Sequence, residues 1–301
     1  MTFELSEIHK PVLLQEILQI LNPQPGQTFI DATVNGGGHA SAILGRIGSK
    51  GKLLGIDRDR TLIDVLPGYH PELAGSNVTL AHDSFANLAD IAQKTGFEKA
   101  DGILFDLGFS TYHIEQSGRG FSFLRDEPLD MRYDPSSDIT AETIINEWPR
   151  QAIENILREF GEERFAGRIS RAIVEKRRQH RIVKTGELAA IIARAIPGRF
   201  RRARINPATR TFQAFRIAVN DELNHLQKGL DSAYDVLGAG GIMAVIAFHS
   251  LEDRLVKHFF RKKKGEGVMR LITEKPVRPE EHEKKNNPRA RSAKLRSAQK
   301  I

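Results

Sequence analysis

Cysteine is absent from all 301 residues. That excludes disulfides, thiolate-bound zinc and any cysteine nucleophile. Long apolar runs are missing as well: no stretch approaches the roughly 20 residues a membrane helix needs. The opening residues Met1 to Glu7 lack the basic segment and apolar core of a secretory signal. The expected address is the cytoplasm, with no membrane partner. No internal repeat of about 20 to 50 residues recurs, which argues against a solenoid or propeller. Acidic residues are in deficit, 38 against 45 lysines and arginines, and the net charge of +7 favours a polyanionic partner. What is present suffices for a large domain and a smaller one, with 40% hydrophobic residues to build their cores.

The most informative segment runs Phe29-Ile30-Asp31-Ala32-Thr33-Val34-Asn35-Gly36-Gly37-Gly38-His39, followed by Leu53-Leu54-Gly55-Ile56-Asp57. Two apolar runs ending in aspartate bracket a glycine cluster that opens into the helical pattern Ala40-Ser41-Ala42-Ile43-Leu44, so the segment reads strand, loop, helix, strand. Such a unit makes a nucleoside pocket. Glycines admit a ligand closer to the backbone than a Cβ allows, and a carboxylate at the next strand tip accepts hydrogen bonds from ribose hydroxyls. A dinucleotide and S-adenosylmethionine both fit that description. The dinucleotide fingerprint G-x-G-x-x-G is incomplete, since Gly36 and Gly38 occupy its first two glycine places but Ser41 stands at the third.

The alternation continues. Val78-Thr79-Leu80-Ala81 ends at His82-Asp83, and Gly102-Ile103-Leu104-Phe105 ends at Asp106-Leu107-Gly108. Repeated strand and helix with short connections predicts a mostly parallel, doubly wound sheet of the α/β class, with ligands at the carboxyl ends of its strands. Asp31, Asp57, Asp83 and Asp106 then share one rim, although any one of them alone reads equally well as a helix cap or turn residue.

Between residues 136 and 207 the pattern becomes helical and basic, with Ile153, Ile156, Leu157 and Phe160 at helical spacing. This is read as a helical insertion domain that divides a first part (1–135) from a second (208–301). Two basic clusters lie in it: Glu175-Lys176-Arg177-Arg178-Gln179-His180-Arg181 and Arg199-Phe200-Arg201-Arg202-Ala203-Arg204. A charge run is as often a solvated helix face as a contact surface. The second cluster carries an aromatic ring and is the better RNA-contact candidate. Downstream, Phe212, Phe215, Val219, Leu223, Leu226, Leu230, Ala233 and Leu237 advance by threes and fours as one long helix stopped by Gly238 and Gly240-Gly241. Ile242 to Phe248 is a buried strand, Val268 to Thr273 and Arg291 to Gln299 suggest two more, and Lys284 to Arg289 is a polar loop between them.

If the ligand is S-adenosylmethionine, its sulfonium already activates the methyl group, and the protein's task is to align a nucleophile and exclude water. Methylation at C5 of a pyrimidine needs a cysteine that adds to the ring, and this chain has none. The acceptor is then a nitrogen or oxygen. For an exocyclic amine, a carboxylate accepting its N–H groups frees the lone pair as the methyl arrives, and the strand end at Asp106 is placed for that.

Six blocks resemble the signature of the bacterial small-subunit ribosomal RNA cytosine-N4 methyltransferases, the MraW or RsmH family. They are Asn35 to His39, Asp106 to Ser110, Arg119 to Phe123, Leu129 to Asp134, Phe248 to Asp253 and Asn287 to Arg296, and the likeness extends from His9 to the C-terminus. The resemblance implies a class I (Rossmann-like) methyltransferase with a helical insertion. It implies S-adenosylmethionine as cofactor and 16S ribosomal RNA of the small ribosomal subunit as partner, with methylation at the exocyclic N4 amine of one cytidine in the decoding region. A homodimer stays open. Carried over by likeness, the cofactor contacts are Gly37, Gly38, His39, Asp57, Phe85, Asp106 and His113, with no metal. His113 stands where the family usually has glutamine, and Tyr133 where it has methionine. Among the remaining polar residues of the blocks, Asp106 and Asp130 are taken as the carboxylates facing the reacting centre, although Asp130 with Arg132 reads equally well as a structural ion pair. Two other classes compete: a nicotinamide-dependent oxidoreductase, and a non-catalytic RNA-binding assembly factor whose RNA affinity would ignore cofactor.

Overall fold

The computed structural model describes residues 10–201 and 206–301. The chain divides into two compact units, one of residues 1–110 with 223–301 and one of residues 111–222.

In the first unit the strands are β1 (Thr28–Asp31), β2 (Lys52–Asp57), β3 (Val78–His82), β4 (Ala100–Asp106), β5 (Leu237–Ala247), β6 (Met269–Leu271) and β7 (Lys294–Lys300). They form one seven-stranded sheet in the order β3-β2-β1-β4-β5-β7-β6. The first five are mutually parallel, whereas β7 runs antiparallel to both β5 and β6. The mostly parallel, doubly wound sheet is the one the sequence pattern predicts, and its strand order reverses beside β1. Strand alternation fills two cores: Phe29, Leu53 and Leu104 face one side with Ile43 and Leu66, while Ile30, Leu54, Ile103 and Phe105 face the other with Leu88 and Leu230. The first layer carries α1 (Leu14–Leu21), α2 (Gly38–Ile47) and α3 (Arg60–Tyr69), and the opposite face carries α4 (Leu88–Thr95) and the helix after residue 221.

The second unit holds α5 (Thr111–Glu115), α6 (Ala141–Glu147), α7 (Arg150–Glu159), α8 (Ala166–Arg177), α9 (Thr185–Ala195), α10 (Gly198–Arg201) and α11 (Ala208–Asn220). Its core is a separate cluster that includes Ile144, Ile153, Leu157, Ile169, Ile192 and Phe215. The unit is wider at both ends than the expected 136–207. Residues 111–135 lack periodicity, yet they are fastened to it by long-range bonds: Thr185 Oγ1 donates to the Arg125 carbonyl at 2.6 Å and the Thr185 N–H to that of Glu127 at 2.9 Å. At the other end Phe212 and Phe215 bury into its core.

The single long helix expected from Phe212 to Leu237 is two. Asp221 adopts a left-handed conformation (φ 49°, ψ 40°) that ends α11, and α12 (Glu222–Val236) starts afresh on the other side of it. The apolar stripe continues through the break because each half faces the core of a different unit. Leu237 opens β5 rather than ending a helix, so Gly238, Gly240 and Gly241 fall within the strand. After α13 (Ser250–Gly265), the expected polar loop is partly ordered as α14 (Glu281–Asn286) and a 3-10 turn (Pro288–Ser292). Acidic residues in the first turn of α14 and lysines in its last match the helix dipole.

Candidate functional site

The carboxyl ends of β1, β2 and β4 place Asp31, Asp57 and Asp106 on one rim. The loop from Thr33 to Gly37 is tied to those strand ends. Asn35, itself at φ 47°, donates its N–H to Asp57 Oδ2 at 2.9 Å and its side-chain amide to the carbonyls of Thr33 (3.0 Å) and Asp106 (3.2 Å). Thr33 Oγ1 accepts the Asp106 N–H at 2.6 Å. Gly37 takes φ 80° at the start of α2, where a Cβ would stand 2.8 Å from the His70 ring and 2.9 Å from Leu66. Only glycine meets both demands.

Asp57 accepts N–H groups from Asn35 and from Asp59 (2.9 Å), one on each oxygen. The Arg58 N–H is a further donor to this carboxylate, and of its roughly four acceptor sites capacity for a ribose hydroxyl is left. Burial pushes Asp57 up to about 6, against the lowering effect of its backbone N–H partners. Asp31 goes further, to about 8, chiefly through burial and then through the nearby charges of Asp106 and Asp57. Three carboxyls on one rim cannot all ionise cheaply, and Asp31 is the neutral member at pH 7. Asp83, expected on the same rim, spends its carboxylate on the Ser84 N–H (2.6 Å) and the Asn87 amide (2.8 Å), the role of a turn residue.

His39 lies in the first turn of α2 and is 3% exposed. Its Nε2 meets the Val12 carbonyl at 3.0 Å and its Nδ1 faces Asp106 Oδ2 at 3.5 Å. Because a carbonyl only accepts, Nε2 carries hydrogen, and the ring joins the segment before α1 to the tip of β4. Phe85 opens a 3-10 turn after β3 and meets Phe105 edge-on at 5.5 Å, leaving its ring half-buried. Gly38 begins α2, and a Cβ there would meet Pro11 at 3.1 Å. Gly37, Gly38, His39, Asp57, Phe85 and Asp106 thus gather in the first unit.

His113 and Asp130 belong to the second. The His113 ring is 2% exposed and packs at 5.1–5.6 Å against Tyr112, Phe121 and Tyr133. Tyr133 stacks on Phe121 and donates to Glu222 at 3.1 Å. Burial alone pushes Asp130 up, but Arg132, bonded through its Nε and Nη2 at 2.8 Å each, overcomes it and holds the carboxyl below the ordinary range. The structural ion-pair reading of Asp130 therefore describes its surroundings.

The first basic cluster is largely spent on structure. Arg177 donates to the carbonyls of Ile145 and Trp148 at 2.8 Å, Arg181 bridges Glu142 (2.6 Å) and Glu147 (2.8 Å), and His180 pairs with Glu187. In the second, Phe200 packs under the Arg164 guanidinium at 4.4 Å. Arg202, Ala203 and Arg204 lie outside the described residues.

Sequence reasoning assigned no role to Asn35, Thr33 or Ser84, which pairs with His225 at 2.8 Å. An asparagine ahead of a glycine run was the available signal for a left-handed turn. Ser41, at the third glycine place of the dinucleotide fingerprint, donates to Glu72 and so fastens α2 to the turn after α3.

Comparison with known proteins adds the following. A model of the MraW methylase family matches residues 6–301. The chain is 46% identical over 308 residues to ribosomal RNA small subunit methyltransferase H of Symbiobacterium thermophilum, covering 97% of this chain and 96% of that one. With the protein of the same name from Heliobacterium modesticaldum it is 42% identical over 309 residues, covering 97% and 98%. Among solved structures, an rRNA methylase from Streptococcus thermophilus aligns with a TM-score of 0.47 at 10% identity, covering 97% of this chain and 98% of that one.

Proposed function

The chain belongs to the MraW methylase family, methyltransferases that draw on S-adenosylmethionine, and from that premise we propose that it methylates the exocyclic N4 amine of a cytidine in the decoding region of 16S ribosomal RNA. The ribosomal substrate is supported by the names its relatives carry. The nitrogen acceptor is supported by the observation that carries this reading: a buried carboxylate, Asp106, at a strand tip of a chain without cysteine.

The residues present suit the cofactor. At Gly37 the left-handed backbone and the His70 and Leu66 side chains packed where a Cβ would stand fix the course of the loop that faces the strand tips. Asp57 retains acceptor capacity for a ribose hydroxyl, and Phe85 offers a half-buried ring for the adenine. When bound, S-adenosylmethionine supplies a methyl group activated by its sulfonium. The protein's own contribution is orientation and acceptance of hydrogen bonds. Asn35 and Thr33 hold the Asp106 backbone at the strand tip and His39 faces its carboxylate at 3.5 Å, which positions that carboxylate to accept an amine N–H and localise the nitrogen lone pair. Asp130 is the second carboxylate assigned to the reacting centre, through its own unit, and His113 an outlying cofactor contact. A target base must leave its stack for the amine to be reached, so the substrate is a splayed-out or single-stranded nucleotide. The helical unit is assigned to RNA recognition.

The test is transfer of labelled methyl from S-adenosylmethionine to small-subunit ribosomal RNA, with nucleoside mass mapping of the product. N4-methylcytidine at one decoding-region position is expected. Label on a uridine or on ring carbon C5 would refute the assignment.

A further inference from the structure

In the first unit, a cleft of about 260 Å³ lies just beyond the end of β5 and beside the start of β7. Its walls include His249 and Ser250 at the start of α13, together with four cationic side chains: Arg278, Lys284, Arg291 and Lys294. No carboxylate is among its lining residues. Two of the cations already have a carboxylate partner, because Lys284 pairs with Glu281 at 2.7 Å and Lys294 shares Asp253 with Arg296, at 2.9 and 2.7 Å. Arg278 and Arg291 are exposed and have neither an ion pair nor a hydrogen bond among the described residues. Two uncompensated guanidiniums therefore converge on one concavity at the start of α13, whose own first-turn donors are met by the His249–Glu252 capping box.

Its position matters as much as its charge. Asp106 lies opposite Ile246 in the β4–β5 register, and the cleft begins two residues later at Phe248. Lys294 lies opposite Ala247 in the β5–β7 register. The cations thus sit on the same strand-tip rim as Asp106, about two strand spacings, or roughly 10 Å, along it. An enzyme acting on an extruded base has to hold the backbone beside that base. Guanidiniums bind phosphate oxygens bidentately, and backbone phosphates set register without reading sequence.

We infer that this cleft is a subsite for a phosphodiester of the substrate RNA, next to the nucleotide presented at Asp106. The inference rests on the methyltransferase reading above and extends it to the backbone of the substrate. It assigns RNA contact to the methyltransferase unit itself, where the sequence pattern had pointed only to the helical insertion.

The experiment compares the full chain with an Arg278→Gln/Arg291→Gln variant, using fluorescence anisotropy on a labelled small-subunit ribosomal RNA fragment across a salt series. The variant should bind RNA about tenfold more weakly, and the slope of log K against log salt should flatten by about 0.7 for each single-strand phosphate that is no longer neutralised. Its affinity for S-adenosylmethionine should not change, its KM for RNA should rise, and Arg278→Lys/Arg291→Lys should recover most of the binding. Inorganic phosphate, titrated into the unmodified protein, should displace RNA only at millimolar concentrations. Unchanged RNA affinity and salt slope in the glutamine variant would overturn the inference. Micromolar binding of inorganic phosphate without an effect of the variant on RNA would overturn it in favour of a free-anion site. Neither readout needs turnover, so a failure of the unmodified protein to transfer methyl would count against the proposed function and leave this comparison readable.

Discussion

Replacing Asp31 by Asn isolates the electrostatic cost of crowding carboxyls on the rim. Asp31 is 1% exposed, and its carboxyl titrates at about 8 instead of 3.8. The folded state therefore binds this proton more tightly than the unfolded chain does. The group's contribution to stability is complete below about pH 4, declines as pH rises, and is lost by about pH 8, because across that window the native form keeps a proton the unfolded form releases. Roughly four pH units at about 1.4 kcal/mol each set a ceiling of about 6 kcal/mol. Asparagine is nearly isosteric, keeps an oxygen for the Thr33 N–H that Asp31 now accepts at 3.2 Å, and cannot ionise. Asp31→Asn should match the unmodified protein in urea denaturation near pH 4 and exceed it by several kcal/mol at pH 9. A stability difference that is the same at both pH values would refute the burial argument.

Other consequences are simpler. Arg216→Ala breaks a bidentate pair with Glu222 (2.8 and 2.9 Å) in which both side chains are only 10% exposed, and should cost about 3–5 kcal/mol by leaving a buried charge unpaired. Thermal melting checks this, and an unchanged midpoint would contradict it. Gly229→Ala would set a Cβ 2.5 Å from the Phe85 ring, so it should cost about 1–3 kcal/mol through overpacking and weaken S-adenosylmethionine binding by displacing that ring. Calorimetric titration that finds full affinity would remove Phe85 from the cofactor site.

The first four parallel strands were legible because each is a short apolar run ending at an aspartate or one residue before it, and because glycines mark the loop after β1. Asp57 and Asp106 were legible for the same reason. The break at Asp221 was not. An apolar stripe by threes and fours reads identically whether its halves face one core or two, and nothing in the spacing reports a left-handed residue. The width of the helical unit was hidden similarly, since Thr185 holds residues 125 and 127 through bonds across about 60 positions that leave no periodic trace. The basic run at Glu175 to Arg181 read equally as a solvated face or a contact surface, because sequence does not show which carbonyls and carboxylates a fold brings to its guanidiniums. Four cations spread from Arg278 to Lys294 form no run at all, and only the antiparallel return of β7 beside β5 gathers them.

The central claim is that Asp57 clasps the ribose of S-adenosylmethionine at the strand tips, and calorimetric titration of the cofactor into the unmodified protein and into Asp57→Ala tests it most directly. One charge-assisted hydrogen bond at about 1.5–3 kcal/mol predicts a loss of roughly 10- to 100-fold in affinity, with RNA binding unchanged. Affinity in the unmodified protein should also weaken as pH falls through about 6, where Asp57 takes up its proton. Equal affinity in the two proteins, or saturation by a nicotinamide dinucleotide in place of S-adenosylmethionine, would contradict the account.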